Sequence, residues 1–233
     1  TLVSDKSWKL TADGPIRSNN EYDGERYDAR KELGEWTCVG YDDSKWGAAE
    51  RVSIPIGTLR GAMAPNMKVL RSLKPVSMRR QGEKWILDMG QNMVGWVRMN
   101  VRGELGDSIK LRFAELLQPD GELYVKNLRD AKVTDTYICN ARENNATWAP
   151  RFVYHGFRYV EVSGFPTATI NDFVGEVVSD EMEELGTFTT SNETLNRIHQ
   201  NAWWGILGNY KGMPVDCPQR NERQPWLGDR TMG

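Results

Sequence analysis

Three carboxylates stand close together near the end of the 233-residue sequence: Asp216, Glu222 and Asp229. They are interleaved with Arg220, Arg223 and the indole of Trp226, and two prolines and two glycines keep the stretch from continuing as regular helix. This mixture suits a polyhydroxylated ligand. Asp and Arg can bond paired hydroxyls, while Trp stacks on the C–H face of a sugar ring. Glycoside hydrolysis also needs carboxyl groups on both sides of the scissile bond. The stretch therefore reads as part of a sugar-processing site.

The competing reading is a charged loop in which Arg220 and Arg223 form surface ion pairs, each worth at most about 1 kcal/mol. Against it, Trp226, Pro218 and Pro225 usually belong to a shaped wall. A metal site built from Asp216, Cys217 and Glu222 would mix a thiolate with hard oxygen ligands and no histidine, an uncommon set. No metal and no cofactor is expected.

Composition narrows the partners. Acidic and basic residues nearly cancel, leaving a net charge of -2, so neither nucleic acid nor an anionic membrane is expected as a partner. No apolar run reaches the roughly 18–20 residues of a membrane span. Three scattered cysteines without a C-x-x-C pair argue against a disulfide framework, and two histidines exclude a histidine-rich metal site. A homodimer is compatible with this composition. Nine tryptophans favour carbohydrate contact, although large apolar cores also use them.

The elements that must position the carboxylates read as mainly β. From Trp8 to about Leu59, short apolar groups alternate with Gly, Pro and Asp turns, as expected for strands and loops at the tail of a β-domain (1–65). Across 66–185 the runs Lys84–Asp88, Val94–Val101, Ser108–Phe113, Thr134–Cys139 and Phe157–Val162 predict an antiparallel β-sandwich. At Gly186 the period changes. Thr190-Ser191-Asn192-Glu193 resembles a capping box, and Leu195, Ile198, Ala202 and Ile206 recur at helical spacing. A helix is predicted from about Ser191 to Asn209, ending near Gly212. So apolar a helix should pack against other helices, which suggests a truncated helical domain over 186–233.

Two other motifs have plainer explanations. Gly90-Gln91-Asn92-Met93-Val94-Gly95-Trp96 lacks the spacing of a phosphate loop and precedes a strand, so a β-turn is expected. Tyr154-His155-Gly156-Phe157-Arg158-Tyr159 could stack on a sugar, but its alternation suits a sandwich strand. His155 is expected to be a structural, hydrogen-bonded histidine.

Taken together, several stretches resemble the bacterial α-L-rhamnosidases of glycoside hydrolase family 78. They are Tyr22–Arg30, Asp88–Trp96, Leu111–Glu115, Asp120–Tyr124, Asn127–Arg129, Thr134–Asp135, Tyr154–Val160 and Asp216–Arg223. The resemblance implies β-sandwich domains followed by a six-hairpin α/α barrel, of which residues 186–233 would supply the first helix and an acid loop. It also implies an inverting enzyme acting on a rhamnose-containing glycan or glycoside, without cofactor. On that pattern Glu222 matches the general acid, and Asp216, Arg220, Trp226 and Asp229 match residues holding rhamnose in the −1 subsite.

The neighbouring carboxylates Asp216 and Asp229 would help Glu222 keep its proton, and Arg220 would oppose them. Two departures from the pattern stand out: Asn221 occupies a position that often carries Asp, and Gln224-Pro225 replaces the more usual Leu-Gly. An inverting hydrolase needs a second carboxylate roughly 6.5–9.5 Å from the first. The resemblance places that base beyond Gly233, so the chain alone is expected to be inactive. The alternative is a non-catalytic carbohydrate-binding or scaffold sandwich.

Overall fold

The computed structural model describes residues 3–53, 56–58, 60–140, 146–226 and 228. Its strands are β1 (Lys9–Leu10), β2 (Ile16–Asn20), β3 (Gly24–Asp28), β4 (Gly47–Ala48), β5 (Met67–Leu73), β6 (Ser77–Gln81), β7 (Lys84–Val101), β8 (Ser108–Ala114), β9 (Leu116–Leu117), β10 (Leu123–Tyr124), β11 (Thr134–Ile138), β12 (Ala146–Trp148), β13 (His155–Ser163) and β14 (Phe173–Asp180). One α-helix of the described residues, α1 (Glu193–Asn209), follows them. It is too short and too polar to cross a membrane.

Ten strands form one curled sheet in the order β2-β3-β11-β8-β13-β7-β14-β5, with β6 and β12 pairing onto β7. The pairings are antiparallel except that β3 runs parallel to β11. Alternation builds the core, as the sequence pattern predicts. Ile109, Leu111 and Phe113 of β8 point inward, and Phe157, Val160 and Val162 of β13 join them with no exposed surface. His155 is fully buried and stacked on Phe113. It meets Asp135 through Nε2, which lies 3.1 Å from each carboxylate oxygen.

The stretch expected as a turn between two strands lies instead within the single long strand β7. Phe157 faces Met93 and Tyr159 faces Asp88, so residues 89–92 bulge out opposite Arg158 alone. Gly90 takes φ 73° at this bulge. Asp88 holds it in shape by accepting from the Gly90 N–H (2.7 Å) and from both forks of Arg158 (2.8 and 2.9 Å). That guanidinium holds the Asp88 carboxyl below its ordinary value. A turn and a bulge share the same Gly and Asn signals, which is why spacing alone points to the commoner one.

The expected capping box does not form. Asn192 is the N-cap, its Oδ1 accepting from the backbone N–H of Thr194 (2.9 Å) and Leu195 (3.3 Å). Thr190 is engaged by Asn196, which accepts the Thr190 N–H and donates to the Thr190 carbonyl, each at 2.8 Å. Among the described residues α1 meets no other helix. It lies on β7 and β14, with Trp203 and Trp204 against the core and Leu207 buried. Gly208 allows this approach, because a Cβ there would stand 2.8 Å from a Val94 methyl. Leu195, Ile198 and Ile206 remain exposed.

Candidate active site

The end of β14 ties down the segment that leads into the carboxylate loop. Ser179 Oγ and the Asp180 N–H both donate to the Tyr210 carbonyl (3.0 and 3.1 Å), and the Asp180 carboxylate accepts the Gly212 N–H at 2.7 and 2.9 Å. Lys211 is buried and folds back on α1, where Nζ donates to the carbonyls of Leu207 (3.1 Å) and Gly208 (3.2 Å). These are among the last carbonyls of the helix, which lack partners within it. Burial pulls the Lys211 ammonium from 10.5 down to about 7, with Asp180 partly offsetting the effect.

Beyond Lys211 the loop closes on itself. The Asp216 N–H donates to the Gln224 carbonyl (2.9 Å), and the Gln224 N–H donates to Asp216 Oδ1 (2.7 Å). Glu222 sits at the focus of this ring. Its Oε2 accepts from Arg220 Nε (3.0 Å) and Nη2 (2.8 Å), and lies 3.0 Å from Arg129 Nη1. Its Oε1 accepts from the Trp226 indole N–H at 3.3 Å. Arg220 also approaches Asp216 Oδ2, at 3.6 Å. The Glu222 side chain keeps 23% of its surface exposed, so it is accessible yet fixed.

Arg223 anchors the loop to the sandwich. It is 5% exposed, takes φ 52°, and donates through Nη1 to the Tyr154 carbonyl (2.9 Å) and through Nε to the Arg220 carbonyl (3.2 Å). Its guanidinium lies 4.8 Å from the Tyr154 ring centre and 5.6 Å from that of Tyr22. Burial pushes Arg223 below its ordinary value and Tyr154 above its own. Gly156 on β13 makes room for the loop, since a Cβ there would stand 3.0 and 3.1 Å from Gln219 and Pro218.

A second support comes from far earlier in the chain. The Tyr22 hydroxyl donates to the Glu222 carbonyl at 3.2 Å. Tyr22 and Asp23 are in turn tied to the segment after Arg129: the Val133 N–H donates to the Tyr22 carbonyl and the Thr134 N–H to the Asp23 carbonyl.

Of the residues singled out from the sequence, Glu222, Asp216, Arg220 and Trp226 are brought together. Asp229 lies outside the described residues. Asp216, Cys217 and Glu222 could offer ligand atoms within 4.8 Å of one another. Arg220 already bonds Glu222 and approaches Asp216, and burial pushes the Cys217 thiol up, away from the thiolate a metal requires. The donor set therefore suits a guanidinium better than a metal ion. Tyr22, Arg129, Tyr154 and Gly156 belong to the site although spacing gave them no role there. Tyr22 and Arg129 are marked in the sequence only by membership of the matched stretches, Tyr154 and Gly156 also by the aromatic run that could stack on a sugar.

Comparison with known proteins accounts for nearly the whole chain. Residues 1–71 match the alpha-L-rhamnosidase N-terminal domain, 78–179 the bacterial alpha-L-rhamnosidase concanavalin-like domain, and 183–233 the six-hairpin glycosidase domain of the same enzymes. An alpha-L-rhamnosidase of Formosa agariphila is 42% identical over 98% of this chain, which spans 25% of that protein. The solved alpha-L-rhamnosidase of Dictyoglumus thermophilum superposes with a TM-score of 0.96 at 43% identity, covering 99% of this chain and 26% of that one. That of Streptomyces avermitilis, solved in complex with L-rhamnose, gives a TM-score of 0.93 at 38% identity, covering 97% and 22%. The chain thus spans about a quarter of the length of these relatives. With the sandwich, the helix and the carboxylate loop all matched in order, the chain belongs to the bacterial α-L-rhamnosidases.

Proposed function

We propose that this chain supplies the acid half of an inverting hydrolase that removes terminal α-L-rhamnose from glycosides or polysaccharides. Residues 1–65 form the end of an N-terminal β-domain, 66–185 the sandwich, and 186–233 the first helix and acid loop of the barrel. Glu222 is the general acid. It gives a proton to the glycosidic oxygen as the bond to the anomeric carbon breaks, and a base-activated water attacks the opposite face. Asp216, Arg220, Trp226 and Asp229 hold the rhamnose, the charged groups on its hydroxyls and the indole against its ring. The base comes from residues outside this chain.

The observation that supports this reading most is the setting of Glu222, a carboxylate accessible at its tip and held from both sides by Arg220, Arg129 and Trp226. The sugar is chosen because the Streptomyces avermitilis relative was solved with L-rhamnose. The test is Glu222→Gln in the full-length enzyme. Turnover should fall by roughly the 10²–10⁴ that general acid catalysis contributes, with KM little changed. A mild effect on kcat would remove Glu222 from the acid role.

A further inference from the structure

Arg129 sits at the end of the short helical turn Lys126–Leu128, with φ 58° and ψ −123°. Residues with a Cβ rarely adopt this conformation, and a glycine would fill it without strain. The chain instead carries an arginine whose guanidinium reaches 3.0 Å from Glu222 Oε2. Leu128, buried beneath the turn, anchors it. So does Glu115, which accepts from Asn127 Nδ2 (3.3 Å) on one oxygen and from Asn92 Nδ2 (3.0 Å) on the other. Asn92 belongs to the bulge of β7. A sandwich strand, its bulge and a strained turn are therefore coupled to the orientation of one guanidinium.

We infer that Arg129 is a positioning residue for the acid, supplied by the sandwich and not by the barrel. The inference rests on the general-acid reading of Glu222. Arg129 and Arg220 both engage Oε2, which leaves Oε1, beside the Trp226 indole, as the oxygen that carries the proton. When that proton passes to the glycosidic oxygen and the C–O bond breaks, its electron pair leaves with the oxygen. The carboxylate charge that remains rests against two guanidiniums already in place. Without Arg129, that charge loses one partner and the carboxylate one of its two fixed orientations.

The experiment uses the full-length enzyme with Arg129→Gly, Arg129→Lys and Glu222→Gln, assayed on an alkyl and a nitrophenyl α-L-rhamnoside, with thermal melting of each variant. Arg129→Gly relieves the backbone, so its melting temperature should equal or exceed that of the wild type. Its kcat on the alkyl rhamnoside should fall about tenfold or more, with KM within about twofold. The loss should be smaller on the nitrophenyl substrate, whose leaving group departs with little protonation, and Arg129→Lys should recover part of it. Wild-type alkyl turnover in Arg129→Gly would overturn the inference, as would equal losses on the two substrates. Should that variant melt lower, the ratio of alkyl to nitrophenyl turnover still decides, because misfolding scales both alike. If Glu222→Gln is inactive while Arg129→Gly is fully active, only the positioning role falls. If Glu222→Gln turns over normally, the acid reading falls and the role of Arg129 with it.

Discussion

Lys211 gives the sharpest stability prediction. In the folded protein its ammonium loses the proton as pH rises through about 7, whereas an unfolded lysine does so near 10.5. Between those values the unfolded chain binds more protons than the folded one, so stability rises with pH across the window. At about 1.4 kcal/mol per pH unit, the gap amounts to about 5 kcal/mol. That cost is fully present below pH 7 and is gone above pH 10.5.

Lys211→Met removes the cost together with the bonds to the Leu207 and Gly208 carbonyls, each of which costs about 1–3 kcal/mol when left unpaired. The variant should therefore match or exceed the wild type near pH 6 and fall below it near pH 10. The assay is urea unfolding of both proteins at several pH values from 6 to 10. Other titrating groups are common to both and cancel in the difference. Among the described residues the Asp180 carboxylate acts on Nζ, and the Tyr154 ring centre lies 5.7 Å away. Parallel stability curves for the two proteins would refute the reasoning.

Two further outcomes are expected. Gly95→Ala should destabilise by about 3–5 kcal/mol in urea unfolding, because φ is 156° and the new Cβ would lie 1.9 Å from the Glu176 carbonyl oxygen; a loss under about 1 kcal/mol would mean that β7 and β14 can part there. On the proposed reading the 233 residues alone should release no rhamnose from an aryl rhamnoside, and release above the blank would place a base within them.

The sequence shows some of this plainly and some of it not at all. Strand β8 is legible because buried residues alternate with exposed or half-buried ones along most of it, and α1 because its apolar residues recur every turn. Its first residue is harder to read, since Thr190 and Asn192 can both cap a helix and only the position of Asn196 decides between them. The bulge at 89–92 carries the residues of a turn, and only pairing with β13 distinguishes the two. The carboxylate loop stands out in the sequence by residue type, because Asp, Glu, Arg and Trp share one short stretch. The placement of Tyr22 and Arg129 beside that loop is a property of the sheet. Strand β3 lies along β11, and no local pattern announces it.

The bond from Tyr22 to Glu222 spans 200 positions of the chain. Contacts that join distant segments close late, since the intervening polypeptide must first lose its freedom. Geometry at residue 222 thus depends on a contact of very high sequence separation. On the proposed reading, chains that have collapsed without completing the sheet would lack an aligned proton donor.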